Sequence, residues 1–173
     1  MAFFLLLLYN LIGDNMYFYN YVKSLDGNVK IYIDMDGVVA DFDAVNYEKE
    51  KHNDNVYQEK RPIKTTINIL KEISTLPNVT LYILSCTKYE RQINGKLIWL
   101  EKNMSFIDKD KINIISREES NNEKSHIIKR EFLKNNLDNN FINIIIDDSH
   151  QVIDEVIYNN LNITPLHITS ILD

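Results

Sequence analysis

The stretch Val29-Lys30-Ile31-Tyr32-Ile33-Asp34-Met35-Asp36-Gly37-Val38-Val39-Ala40-Asp41-Phe42 decides how this chain is read. Val29, Ile31 and Ile33 alternate with Lys30 and Tyr32, and these apolar types favour strands. The strand stops at Asp34 and Asp36, two positions apart, which on an extended chain face the same side. Gly37 then lets the backbone turn sharply or approach a ligand closely. Acids at the mouth of a buried strand are costly unless a cation or a proton transfer uses them. Taken alone, the stretch also reads as a strand ending in a solvated turn.

Working outward, Asp26-Gly27-Asn28 is a turn signal just before this strand. Further strands are expected at 79–85, 111–116, 143–146 and 166–171. Helices are expected between them, over 62–76, 88–103, 124–137 and 151–158. Pro62 is suited to open the first of these. Its inward face is Ile63, Ile67, Leu70 and Ile73; the next helix offers Ile93, Leu97, Leu100 and Met104, with Trp99 at the margin. Alternating strands and helices predict an α/β, three-layer, Rossmann-like parallel sheet flanked by helices. Residues 42–61 read as a small insertion after the first strand, and 1–27 as an extension outside the main domain, 28–173.

The 173 residues suffice for one domain with a substantial core, and 45% apolar with 25% charged residues is a globular composition. A net charge of −6 argues against extended nucleic-acid binding, but a local site in an acidic protein can still take a small phosphorylated substrate. The single cysteine, Cys86, excludes an intrachain disulfide and fits a reducing, cytoplasmic setting. The apolar run 2–12 is short for a bilayer span and lacks the flanks of a signal peptide. Its open readings are an added helix, a weak membrane or partner anchor, and an upstream start with Met16 as the next candidate.

Right-handed crossovers carry all parallel strand ends to one edge, where ligands of open sheets bind. That edge should collect Asp34 and Asp36, Ser85, Lys124 and the pair Asp147-Asp148. Converging acids repel unless a cation lies among them, and an all-oxygen donor set suits Mg²⁺. A lysine and a hydroxyl beside them supply what a phosphate needs. An Asp carboxylate can then act as the nucleophile of phosphoryl transfer through an aspartyl-phosphate.

These four signals (Asp34-Met-Asp36-Gly-Val-Val-Ala-Asp41-Phe, the strand ending in Ser85, a lysine, and Ile144-Ile-Ile-Asp147-Asp148) resemble the motifs of the haloacid dehalogenase superfamily. The spelling of the first motif, and the segment Lys96-Leu-Ile-Trp99-Leu100, resemble its 5′(3′)-deoxyribonucleotidase-like branch. The resemblance implies that Asp34 is the nucleophile and Asp36 the general acid and base. It implies Ser85 and Lys124 as phosphate ligands, with Lys129 as the second choice. It assigns Mg²⁺ to Asp34, the Asp36 backbone carbonyl, Asp147 and Asp148. Lys124 is preferred because it opens its helix. A cap as small as 42–61 leaves the site open, or leaves closure to a neighbouring subunit in a homodimer. Phe42, Tyr47 and Tyr57 are the aromatics available there for a base.

The expected activity is therefore a Mg²⁺-dependent phosphomonoester hydrolase, with a 5′-nucleotidase acting on (deoxy)nucleoside monophosphates as the favoured form. The alternatives are a phosphatase or phosphotransferase on another small metabolite, and a non-enzymatic phospho-accepting or binding domain. A receiver-like domain is disfavoured because it carries adjacent acids after its first strand and its acceptor on a middle strand.

Overall fold

A computed structural model describes residues 17–43, 53 and 55–172. Each expected strand and helix has a counterpart, with shifted ends, and a helix at Tyr17–Lys23 precedes them. The strands are β1 Val29–Ile33, β2 Val79–Thr87, β3 Ile112–Ser116, β4 Ile142–Asp147 and β5 Thr164–His167. The helices are α1 Tyr17–Lys23, α2 Lys64–Ile73, α3 Ile93–Asn103, α4 Ser125–Asn136 and α5 His150–Tyr158. The sheet is parallel throughout, in the order β3-β2-β1-β4-β5.

That order reverses direction beside β1, which places β1 at the topological switch point. Ile33 pairs with Ile83 of β2 on one side and Ile146 of β4 on the other. Asp34, just past the end of β1, and Ser85 and Asp147, near the ends of β2 and β4, therefore lie together at the carboxyl edge of the sheet. Alternation within β1 divides the core. Ile31 and Ile33 face the layer containing Phe18, Leu70 and Trp99, while Tyr32 faces Leu133, Val152 and Val156. Both faces of β1 are covered, as in parallel sheets generally.

Several expectations need correction. Helix α1 is not peripheral: Phe18 and Val22 are buried in the main core, and α1 packs against α2 and the C-terminal turn. The run 2–12 and Tyr47 lie outside the described residues. Among the described residues, no helix is long and apolar enough to cross a membrane. Pro62 does not open a helix. It bridges back to Ala40, and α2 begins at Lys64. The predicted strand at 166–171 is instead β5 followed by a 3-10 turn, Ile168–Ile171. Pro165 is tolerated because β5 is an edge strand with no outer neighbour to pair with.

Helix α3 also starts later than expected and shows a different face. Tyr89 is extended and its N–H donates to the Gln92 side chain, so a short 3-10 turn precedes Ile93. Leu97 and Ile98 are about two-fifths exposed, whereas Lys96, Trp99 and Leu100 point inward. This rotation matters for the site.

Candidate active site

The turn after β1 is built as a buried knot. The Met35 carbonyl accepts from the Val39 and Ala40 N–H groups at 3.0 and 2.8 Å, and the Gly37 N–H donates to the Ala40 carbonyl at 2.8 Å. Met35, Val38, Val39 and Ala40 are fully buried. Returning from the insertion, the Ile63 N–H donates to the Val39 carbonyl at 2.8 Å and ties the knot to the start of α2. Apolar side chains thus hold rigid the backbone that carries Asp34 and Asp36. Such support is what a site needs if its geometry is to be kept.

Carboxylate oxygens of Asp34, Asp147 and Asp148 lie within 4.8 Å of one another. One ammonium stands among them: Lys129 Nζ is 3.0 Å from Asp34 Oδ1 and 2.7 Å from Asp147 Oδ2. Asp147 Oδ1 accepts from the Ser149 N–H at 3.0 Å, and the Asp148 carbonyl is held by His167 Nε2 at 3.0 Å. Gly37, at φ +74°, lets the knot pass against the Asp148 carboxylate, where a Cβ would overlap it.

Burial pushes the Asp34 carboxyl upward, but Lys129, then Lys96 and the Ser85 hydroxyl, outweigh it and hold Asp34 below the usual carboxylate range. Asp147 is pushed up to about 6, first by burial and then by the Asp34 charge, against the pull of Lys129. Burial and Asp34 also raise Asp148. The Lys129 ammonium is stabilised well above its ordinary range, since Asp147 and Asp34 overcome its own burial. One cation therefore faces acids that it cannot all satisfy. Asp34 Oδ1 is buried and accepts no hydrogen bond, although Lys129 lies near it. A divalent cation fits this set of hard, under-compensated oxygens.

The Asp36 side chain turns away from that cluster. Its Oδ2 is 2.6 Å from Lys96 Nζ, and its Oδ1 is 3.4 Å from Lys60 Nζ. Lys96 also donates to Ser85 Oγ at 2.8 Å and to the Cys86 carbonyl at 2.9 Å. Lys60 lies over the rings of Phe42 and Tyr57, and its carbonyl accepts from Trp99 Nε1 at 2.7 Å. Asp34, Asp36, Ser85, Lys129, Asp147 and Asp148 line a cavity of about 460 Å³.

The structure thus gathers Asp34, Asp36, Ser85, Asp147 and Asp148 at one edge. It places the two lysines differently. Lys129 is buried against Asp34 and Asp147, whereas Lys124 is exposed at the N-cap of α4 and lines only the cavity. Position 129 lies on the inward face of the first turn and a half of α4, beside Ile128, while the N-cap stands outside. Lys96 and Lys60 were missed. The signal for Lys96 was its spacing, since 96, 99 and 100 share a face and Trp99 is core. No pattern marked Lys60, which the insertion delivers. Of the local aromatics, Phe42 and Tyr57 do line the cavity.

Comparison with known proteins follows the same line. Residues 29–168 match the family model of the polynucleotide kinase PNKP phosphatase domain. No curated protein matches the chain. Two solved structures of the Pnkp1/Rnl/Hen1 RNA repair complex share the fold. One has a TM-score of 0.63 at 17% identity, covering 83% of this chain and 44% of that one. The other has a TM-score of 0.61 at 16% identity, covering 83% and 47%. The chain spans less than half the length of these structural relatives. Through the match over 29–168, the chain belongs to the polynucleotide kinase phosphatase-domain family of the haloacid dehalogenase superfamily.

Proposed function

We propose that this protein is a Mg²⁺-dependent phosphomonoester hydrolase that works through an aspartyl-phosphate on Asp34. The observation that carries the reading is the separation of the two acids of the first motif. Asp34 stays ionised among Lys129, Asp147 and Asp148, while Asp36 is held apart by Lys96 and Lys60. Asp34 attacks phosphorus, and the bond to the leaving oxygen breaks as Asp36 delivers a proton to it. Asp36 then takes a proton from water, whose oxygen attacks phosphorus and releases phosphate from Asp34. Ser85 and Lys129 hold the phosphate oxygens. Asp34, Asp147, Asp148 and the Asp36 carbonyl would hold Mg²⁺, which shields the approach of one anion to another.

The proposed substrate is a phosphate carried on a nucleotide. A cavity of about 460 Å³ is large for a phosphate alone, and Lys88, Arg117 and Lys124 line it beyond the reacting acids. These cations suit a substrate with charge beyond its terminal phosphate. A nucleoside monophosphate would fill the inner part; the family match favours the terminal phosphate of a nucleic-acid strand. A net charge of −6 limits contact with such a strand to its end. Phosphate release should be measured with Mg²⁺ from an aryl phosphate, nucleoside monophosphates and oligonucleotides phosphorylated at either end. EDTA and Asp34→Asn should each abolish it. Turnover unaffected by Asp34→Asn would sink the reading.

A further inference from the structure

Lys96 is fully buried on a helix, in a position where an uncompensated ammonium would be severely unfavourable. Its three protons are all used: Asp36 Oδ2 at 2.6 Å, Ser85 Oγ at 2.8 Å and the Cys86 carbonyl at 2.9 Å. None is left for a substrate oxygen. The side chain therefore acts only through its neighbours, and two of them are groups that the proposed reaction needs.

We propose that Lys96 is the positioning residue that couples the proton-transferring carboxylate of Asp36 to the phosphate-binding hydroxyl of Ser85. This rests on the phosphatase reading above. Both consequences follow from donor and acceptor counting. With Oδ2 engaged by Lys96, the oxygen of Asp36 left to carry a proton is Oδ1, which is buried and accepts no hydrogen bond, with the Lys60 ammonium 3.4 Å away. With Ser85 Oγ accepting from Lys96, the Ser85 proton must point elsewhere. It is free to turn to the neighbouring Asp34 carboxylate or, when one is bound, to a phosphate oxygen. Lys60 approaches Asp36 only at 3.4 Å and from the insertion, so it does not duplicate this arrangement.

The test exploits the difference between the two coupled groups. Proton delivery to the leaving oxygen matters for an alkyl phosphate and little for 4-nitrophenyl phosphate, whose leaving group departs as an anion. Ser85 matters equally for both. In kcat/KM only steps through the first phosphoryl transfer count, so the comparison isolates that step. Lys96→Met should lower kcat/KM about 100-fold or more for an alkyl phosphate, and roughly tenfold less than that for 4-nitrophenyl phosphate. Ethylammonium, but not ethanol, should restore part of the alkyl-phosphate activity of Lys96→Ala. If Lys96→Met fails to fold, Lys96→Gln is read in the same assay. Equal losses on both substrates, or no loss, would overturn the inference while wild-type activity leaves the phosphatase reading standing. A wild-type protein that releases no phosphate from either substrate overturns both.

Discussion

Gly37 lies so close to Asp148 that a Cβ at position 37 would overlap the Asp148 carboxylate, and its φ of +74° is one that other residues rarely adopt. The turn carrying Asp36 and the acid after β4 are thereby packed as a unit. Gly37→Ala should displace Asp148 or the turn, at a cost of about 1–3 kcal/mol in stability. Mg²⁺ affinity should fall about 10–100-fold, as for other losses of support around a metal site. Calorimetric titration of the folded variant checks this; unchanged affinity would count against Asp148 as a ligand.

Lys129 and Lys124 make opposite predictions. Lys129→Met removes an ammonium that touches both Asp34 and Asp147, leaving buried acids unpaired. Without metal it should destabilise the protein by about 3–5 kcal/mol. Added Mg²⁺ should restore part of that loss, because a cation replaces a cation. Lys124→Met, on an exposed cap, should stay within about 0.5 kcal/mol. Thermal unfolding with and without Mg²⁺ separates the two. Phosphate release from an aryl phosphate, which carries no further charge, should fall steeply only in the Lys129 variant.

The elevated Asp147 pKa gives metal binding a pH dependence. An acid raised from 3.8 to about 6 keeps its proton in the metal-free fold between those values. The stability this proton contributes is fully present below 3.8 and is lost as pH rises through about 6. Mg²⁺ must displace this proton, so its affinity should be about tenfold weaker at pH 5 than at pH 7. Titration calorimetry in buffers of different ionisation enthalpy would show proton release near pH 6; its absence would mean Asp147 is already ionised.

Phe18 tests where the domain begins. It is buried in the same core as Ile31 and Trp99. Phe18→Ala should cost about 3–5 kcal/mol, as truncation of a core aromatic does. A change below about 0.5 kcal/mol, measured by urea unfolding, would mean α1 is dispensable to the fold.

The parallel sheet was legible because strand and helix periods alternate clearly and the β1 motif ends abruptly in acids. Asp147 and Asp148 could be placed beside Asp34 because parallel topology sends every strand end to one edge. Other features were not local. Leu97 and Ile98 look like core residues by type, yet a rotation of α3 exposes them and turns Lys96 inward. The choice between Lys124 and Lys129 depended on which turn of α4 faces the acids, and a helix start uncertain by one or two residues decides that. Lys60 reaches Asp36 through tertiary packing on Trp99, which no periodicity reports.

The claim on which the rest depends is covalent phosphorylation of Asp34. Wild-type protein should be mixed with Mg²⁺ and an aryl phosphate, quenched in acid within a turnover, digested and examined by mass spectrometry. The account predicts a phosphoryl group on the peptide containing Asp34, absent with EDTA and absent in Asp34→Asn. Release of phosphate at full rate with no such adduct, or with the adduct on another residue, would contradict it.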